Sequence, residues 1–434
     1  MSLRALRLLM VPCLLLVAQQ AALAPALAEV KFGIDVLRDE KFKSLGGKRV
    51  GLIANPASVD EHLAPTAHVL RDSGGAVNLV ALFGPEHGIY GDEYAGDKVE
   101  DRKDPRTGIP IYSLYGQTRK PTAEMLGDLD TLVFDLQDIG SRSYTYISTL
   151  KVAMEACAEQ GKALVVLDRP NPLGGTRVEG PGLDEKNYSS FVGIIDVPYV
   201  HGMTTGEIAR LMRDRYHPDF DKLSVVKMTG WTRDMTWEDT GREWVPTSPH
   251  LPHVSTIAAY AATGIVGELY VISNGVGYTL PFEVVGAPYV DGEALSDALN
   301  EYWRSPRAAY DAISEKREVK AQKSEKPKGV YFRSVRFKPF YATFKGEPCQ
   351  GVQVHIDPKQ AGTIVEINYR LMEALNAKNI LEEAPKRHDM FDKVNGSDEA
   401  RRYLTEGKDL EELFAKWKRQ CEQFREARKK YLLY

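Results

Sequence analysis

Glu86 and His87 lie in Phe83-Gly84-Pro85-Glu86-His87-Gly88, on a turn between glycines just beyond an apolar run. A carboxyl held against apolar and proline surface keeps its proton nearer neutrality than a solvated one, and can then act as a general acid. The same glutamate can instead pair with a basic group in a surface loop, and spacing alone does not choose. A second group, Phe134 to Tyr146, brings Asp135, Gln137, Asp138, Arg142, Tyr144 and Tyr146 into one short stretch. Carboxylates accept from hydroxyls, arginine binds anions and tyrosines stack on sugar faces, so this stretch can grip a polyhydroxylated ligand. Asp138 can equally cap the following helix, and Asp135 can be a buried partner of Arg169. A third group is Asp168-Arg169-Pro170-Asn171-Pro172, followed by Glu179 to Gly182 and by His201 ahead of a helix. Prolines rigidify these loops, which suits a preformed pocket or any tight connection.

Several familiar sites are missing. The chain has no Gly-x-Gly-x-x-Gly after a strand, no Gly-x-x-x-x-Gly-Lys-Ser/Thr loop and no Gly-x-Ser-x-Gly elbow, which argues against a dinucleotide enzyme, an NTPase or a common serine hydrolase. Neither Cys-x-x-Cys nor His-Glu-x-x-His occurs, and His62 and His68 do not share a helix face. His250 and His253 are the remaining ligand candidates, and neither a metal nor a cofactor is expected.

The elements that must position these residues alternate. Arg49 to Ala54, Val77 to Phe83, Ile109 to Leu114, Thr131 to Leu136 and Ala163 to Leu167 read as strands, with helices such as Thr145 to Gln160 between them. Runs this continuously apolar predict an α/β domain with a mostly parallel sheet covered on both faces. Ligands of such sheets bind beyond the carboxyl ends of the strands. Asn55, Glu86-His87, Asp135-Gln137-Asp138 and Asp168-Arg169 all fall there. Thr204 and Glu207 have capping-box spacing. Pro246 to Pro252 marks a boundary, giving a leader at 1–28, an N-terminal domain at 29–250 and a C-terminal domain at 251–434. Glu315 to Lys328 reads as a charged loop. Leu410, Leu413, Phe414, Trp417, Cys421 and Phe424 make one helical face, with Asp409 and Glu412 spaced for a cap.

The 434 residues are 43% hydrophobic and 27% charged, with a formal net charge of −4. That is globular composition without the basic excess a general nucleic-acid binder carries. Met1 to Ala28 reads as an export signal: Arg4 and Arg7, then an apolar run, then Ala26-Leu27-Ala28. Its removal takes two arginines and no acid, leaving a net charge of −6. No later run is apolar enough to span a bilayer, so no stable membrane insertion is expected, and an exported, periplasmic or secreted, protein is. Cys157, Cys349 and Cys421 are too few for a disulfide framework and read as core residues.

GPEHG, FDLQDIGSRSYTYISTL, LDRPNPLGG, VEGPG, HGMTTGEIA, PTSPHLP, PFEVVGAP, GEPCQGVQVHI and the terminal RKKYLLY together resemble the NamZ-type exo-β-N-acetylmuramidases, in order from Phe32 to Tyr434. The resemblance implies a glycosidase that removes N-acetylmuramic acid from the non-reducing ends of peptidoglycan fragments, so muramyl saccharides are the expected partners. It also implies a Rossmann-like N-terminal domain, a smaller α+β C-terminal domain and an active site in the cleft between them. Glu86 takes the place of the family's PEHG glutamate, the candidate acid. Asp135 or Asp138 is then the second group, which either manages oxocarbenium charge or orients the substrate's acetamido group. Arg142 and Arg169 are candidates for the lactyl carboxylate. His87, Gln137, Tyr144, Asn171, His201 and Asn274 complete the expected binding set. Ser273 to Thr279 departs from the family's SEGRGTT-like stretch, with Asn274 for an acid and Val276 for an arginine. A different amino sugar, or sugar binding without cleavage, is the alternative that this departure leaves open.

Overall fold

The computed structural model describes residues 29–94, 96–304 and 329–434. The leader Met1 to Ala28 and the charged loop Glu315 to Lys328 therefore lie outside the described residues.

Seven strands form the N-terminal sheet: β1 (Arg49–Ala54), β2 (Asn78–Gly84), β3 (Arg102–Lys103), β4 (Pro110–Ser113), β5 (Thr131–Asp135), β6 (Ala163–Leu167) and β7 (Leu223–Val226). Their order is β3-β4-β2-β1-β5-β6-β7, parallel throughout except for the β3–β4 pair. Central β5 is buried at every position, as its apolar run predicts. The two edge strands escaped the sequence reading for a physical reason. β3 has only two residues, and β7 carries no fully buried one, so neither has the apolar run that betrays a central strand.

Gly33–Asp39 and Thr66–Arg71 cover one face of the sheet, and Tyr146–Glu159 and Thr205–Tyr216 pack together on the other. Tyr146–Glu159 buries Ile147, Leu150, Ala153, Met154 and Cys157. Thr205–Tyr216 starts in the expected capping box: Thr204 Oγ1 accepts from the Glu207 amide at 3.3 Å, and Glu207 Oε2 accepts from the Thr204 amide at 3.0 Å. The Pro-rich segment is pinned to the sheet. Asn55 Nδ2 donates to the Thr247 carbonyl at 2.9 Å, and Thr247 Oγ1 donates to the Gln137 carbonyl at 2.7 Å.

The C-terminal part has an antiparallel sheet of β8 (Val284–Ala287), β9 (Val330–Phe337) and β10 (Cys349–Ile356) in the order β8-β10-β9. Its last long helix, Leu410–Ala427, buries the six-residue face read from the sequence, and Asp409 caps it by accepting from the Glu411 amide at 2.9 Å. The tail then returns to the N-terminal domain. Arg428 donates to the carbonyls of Gly175, His201 and Gly202, and the Tyr434 hydroxyl donates to Asp168 Oδ2 at 2.8 Å. Cys157, Cys349 and Cys421 are buried and free. Among the described residues, no helix is long and apolar enough to cross a membrane.

Candidate active site

Strand β2 delivers Glu86. A side chain at Gly84 would meet the Ile89 amide at 2.8 Å, so the chain can fold back tightly only with glycine there. The Gly88 amide closes the turn onto the Pro85 carbonyl at 2.9 Å. His87 takes a left-handed φ of 70° and is tied through Nδ1 to the Glu93 carbonyl at 3.0 Å. The turn thereby presents Glu86 to a cleft of about 590 Å³ between the sheet's carboxyl edge and the C-terminal part. Its Oε2 accepts from Thr145 Oγ1 at 2.7 Å, and its Oε1 from the Gly96 amide at 3.1 Å. A carboxyl fixed at both oxygens is oriented before any ligand arrives.

The cleft wall is largely aromatic. Tyr144 packs edge-on against Tyr146 and Tyr260, with ring centroids 4.7 and 6.0 Å apart. Ser143 Oγ lies 3.0 Å from both the Tyr199 and the Tyr260 hydroxyl, linking the two domains within the cleft wall. His250 Nε2 is hydrogen-bonded to the Tyr341 hydroxyl, whose ring stacks on it. Burial, and after it the neighbouring His87, lowers the His250 pKa, which favours the neutral ring. Burial, with the Glu86 carboxylate adding to it, pushes the Tyr115 phenol up to about 12. A second carboxyl, Glu268, lines the cleft from the helix end after Gly267, with 32% of its side chain exposed. Burial raises its pKa despite Arg387, which donates to it at 3.2 Å.

Four of the sequence candidates line this cleft: Glu86, His87, Tyr144 and Asn274. The others lie behind it as a polar framework. Asp135 is 0% exposed and takes both Arg169 Nε at 2.6 Å and Arg169 Nη2 at 3.0 Å, while Thr66 Oγ1 donates to it at 2.6 Å. Its oxygens are committed, and Arg169 is 2% exposed, with Nη2 also donating to the Val59 carbonyl at 2.9 Å. Arg142 is also fully buried. It donates to the carbonyls of Pro181, Val197, Val394 and Asn395, and burial without a carboxylate partner brings its guanidinium down to about 10. Neither arginine is open to a sugar acid. Gln137 bonds the Asp138 and Pro170 carbonyls, and Asn171 bonds the Met203 carbonyl and the Leu173 amide. Asp138 Oδ2 accepts from the Gly140 amide at 2.7 Å and lies 3.6 Å from His201 Nε2, both side chains buried. Among the described residues, no three His, Cys, Asp or Glu side chains converge to hold a metal ion.

Ser143 and Thr145 fall within a motif of the sequence that points to other residues, and His250, a metal-ligand candidate by sequence, lies in the cleft hydrogen-bonded to Tyr341. Tyr115, Tyr260, Glu268 and Tyr341 carry no local signal, because each reaches the cleft from a separate element.

A larger hollow of about 1060 Å³ lies on the other side of the Tyr199–Val200 segment, floored by Trp417 and Cys421 and lined by Glu179 and Glu366. Its two arginines are engaged: Arg177 bonds Glu179 and the carbonyls of Pro358, Ala361 and Gly362, and Arg425 donates to the Val178 carbonyl at 2.9 Å. Burial raises Glu366 from 4.5 to about 7. The folded state thus holds this proton more tightly than the unfolded chain. The stability involved is complete below pH 4.5 and is lost as pH rises through 7. Glu366→Gln is therefore expected to exceed the parent protein in unfolding free energy at pH 8 by about 2 kcal/mol, with the gap closing in acid. Urea titrations across that range check it; a gap independent of pH would contradict the assignment.

Two family models match this chain in tandem: the N-terminal part of the exo-β-N-acetylmuramidase NamZ over residues 50–255, and its C-terminal part over 258–434. The peptidoglycan β-N-acetylmuramidase NamZ of Bacillus subtilis strain 168 is 40% identical over 406 residues, which cover 94% of this chain and 92% of that protein. Two crystal structures of DUF1343 family proteins from Bacteroides fragilis share the fold. One has a TM-score of 0.82 at 43% identity, covering 94% of this chain and 100% of that one. The other has a TM-score of 0.68 at 29% identity, covering 94% and 99%. Matched along almost its whole described length, with the PEHG glutamate facing a cleft between the two matched parts, the chain belongs to the NamZ exo-β-N-acetylmuramidase family.

Proposed function

We propose that this protein is an exo-acting glycoside hydrolase that releases N-acetylmuramic acid from the non-reducing ends of peptidoglycan fragments, with Glu86 as the general acid. The observation that carries the reading is Glu86 itself, fixed by Thr145 and Gly96 in an aromatic cleft. The acid protonates the leaving glycosidic oxygen as the bond to the anomeric carbon breaks. The 2-acetamido oxygen of the sugar can attack the same carbon as that bond breaks, giving an oxazolinium that water then opens while Glu86 takes back the water's proton, so the second protein group need only orient the amide. Among the described residues, Glu268 is the other carboxyl that reaches the cleft, and we assign it this role ahead of the committed Asp135 and the buried Asp138. Tyr144 and Tyr260 supply faces and edges for the sugar ring. Asn274 and Val276, the departure from the family stretch, also line the cleft, which makes them determinants of which substituent fits.

Purified protein is expected to release N-acetylmuramic acid from a muramyl-glucosamine disaccharide and from a chromogenic muramide. Folded protein without turnover on either would refute the reading, and saturable binding without product would favour a sugar-binding role. We further propose that the chain acts outside the cytoplasm after loss of Met1 to Ala28. N-terminal sequencing of protein recovered from the periplasmic fraction should then begin at Glu29.

A further inference from the structure

An N-acetylmuramic acid residue differs from N-acetylglucosamine by a lactyl ether that ends in a carboxylate. A net charge of −6 after loss of the leader provides no bulk attraction for that anion, so a local cation must receive it. Arg142 and Arg169 are both consumed inside the fold. Among the described residues, the cleft lining holds no lysine or arginine. Three guanidinium groups lie over rings of its lining: the buried Arg142 over Tyr199 at 5.9 Å, Arg387 over Tyr270 and Arg119 over Tyr115. Arg387 lies 4.0 Å over the Tyr270 ring, but its charge is matched by Glu268. Arg119 is different. It is exposed, lies 4.8 Å over the Tyr115 ring and 4.5 Å over the Phe191 ring, and has no carboxylate within 4.0 Å among the described residues. Tyr115 lines the cleft beside Glu86, and Val192, next to Phe191, lines it too.

Resting on the activity proposed above, we infer that Arg119 is the specificity residue for the muramyl lactyl carboxylate, held at the cleft rim by Tyr115 and Phe191. Contact with two rings restrains a long side chain that would otherwise lose rotamer freedom on binding, and with one donor engaged by the Tyr115 hydroxyl the other N–H groups remain for a ligand. A carboxylate can then be taken in the bidentate fork that arginine offers and lysine does not. The position also fits the chemistry. The Tyr115 hydroxyl interacts with both the Glu86 carboxylate and Arg119, so the cation is linked to the acid through that hydroxyl and is not paired with it directly.

The test compares the parent protein with Arg119→Ala and Arg119→Lys on a chromogenic muramide and on its lactyl methylamide. Binding of free N-acetylmuramic acid and N-acetylglucosamine is followed by calorimetry. Arg119→Ala is expected to lose about 10- to 100-fold in kcat/KM on the free acid, mainly through KM, and almost nothing on the methylamide. Arg119→Lys should recover part of the loss. Equal kcat/KM for Arg119→Ala and parent on the free acid would overturn the inference, as would an equal loss on both substrates, which a merely structural role would give. Should the parent turn over neither substrate, the activity reading falls by itself. The calorimetric arm then decides: loss of preference for N-acetylmuramic acid in Arg119→Ala upholds the inference, and an unchanged preference overturns it.

Discussion

Glu86→Gln is expected to lower kcat/KM on a muramyl-glucosamine disaccharide by about 10³-fold, the middle of the range for removing a positioned general acid. Glutamine has nearly the same shape, and its amide oxygen can still accept from Thr145 or from the Gly96 amide, so the fold should be barely disturbed. What it cannot do is give a proton to the departing oxygen. The size of the loss should therefore depend on how much the leaving group needs that proton. A nitrophenyl or methylumbelliferyl muramide leaves as a stabilised phenolate and should lose far less than the disaccharide, whose sugar alkoxide is a poor leaving group. A side chain that merely shaped the cleft would give equal losses on both. Steady-state kinetics on the two substrate classes, with melting curves for both proteins, check the prediction. Equal losses, or a loss matched by a collapsed melting curve, would remove Glu86 from its assigned role.

Asp135→Ala should act on stability instead. The carboxylate and Arg169 form a buried pair at 0% and 2% exposure, joined at 2.6 and 3.0 Å. Removing one member leaves a charged guanidinium in the interior with the Val59 carbonyl as its recorded partner, and a cost of about 3–5 kcal/mol is expected. The Thr66 hydroxyl loses its acceptor as well. Replacing both charges, as Asp135→Leu with Arg169→Met, should return much of that stability, because the desolvation of two ions is removed with their attraction. Chemical denaturation of the single and double variants measures the cycle. An Asp135→Ala protein of parental stability but no activity would show that this aspartate touches substrate after all.

The contrast between these carboxylates shows how far local sequence reaches. Both follow apolar strand runs, at the carboxyl edge where α/β sheets bind ligands. For Glu86 the neighbouring residues are decisive: glycine, proline and glycine force a turn, and a turn beyond a strand end projects its side chain outward. Asp135 is still within β5, so the side it faces depends on what covers the sheet. Thr66 and Arg169, from distant parts of the chain, turn out to cover it.

Arg142 makes the same point more sharply. Next to two tyrosines it has the composition of a sugar site, yet its donors meet carbonyls up to 253 residues away. Tyr115, Arg119, Glu268 and Tyr341 reach the cleft region by the same kind of long-range assembly. The sequence by itself determined the parallel sheet, the Thr204 capping box, the apolar face of the last helix, the turn carrying Glu86 and the family, because each depends on residues close together or on motifs in order. Only the tertiary structure decided which polar side chains face ligand and which brace the fold. A charged group's role follows from the partners that surround it in space, and in this chain most of those partners come from elements far apart in sequence.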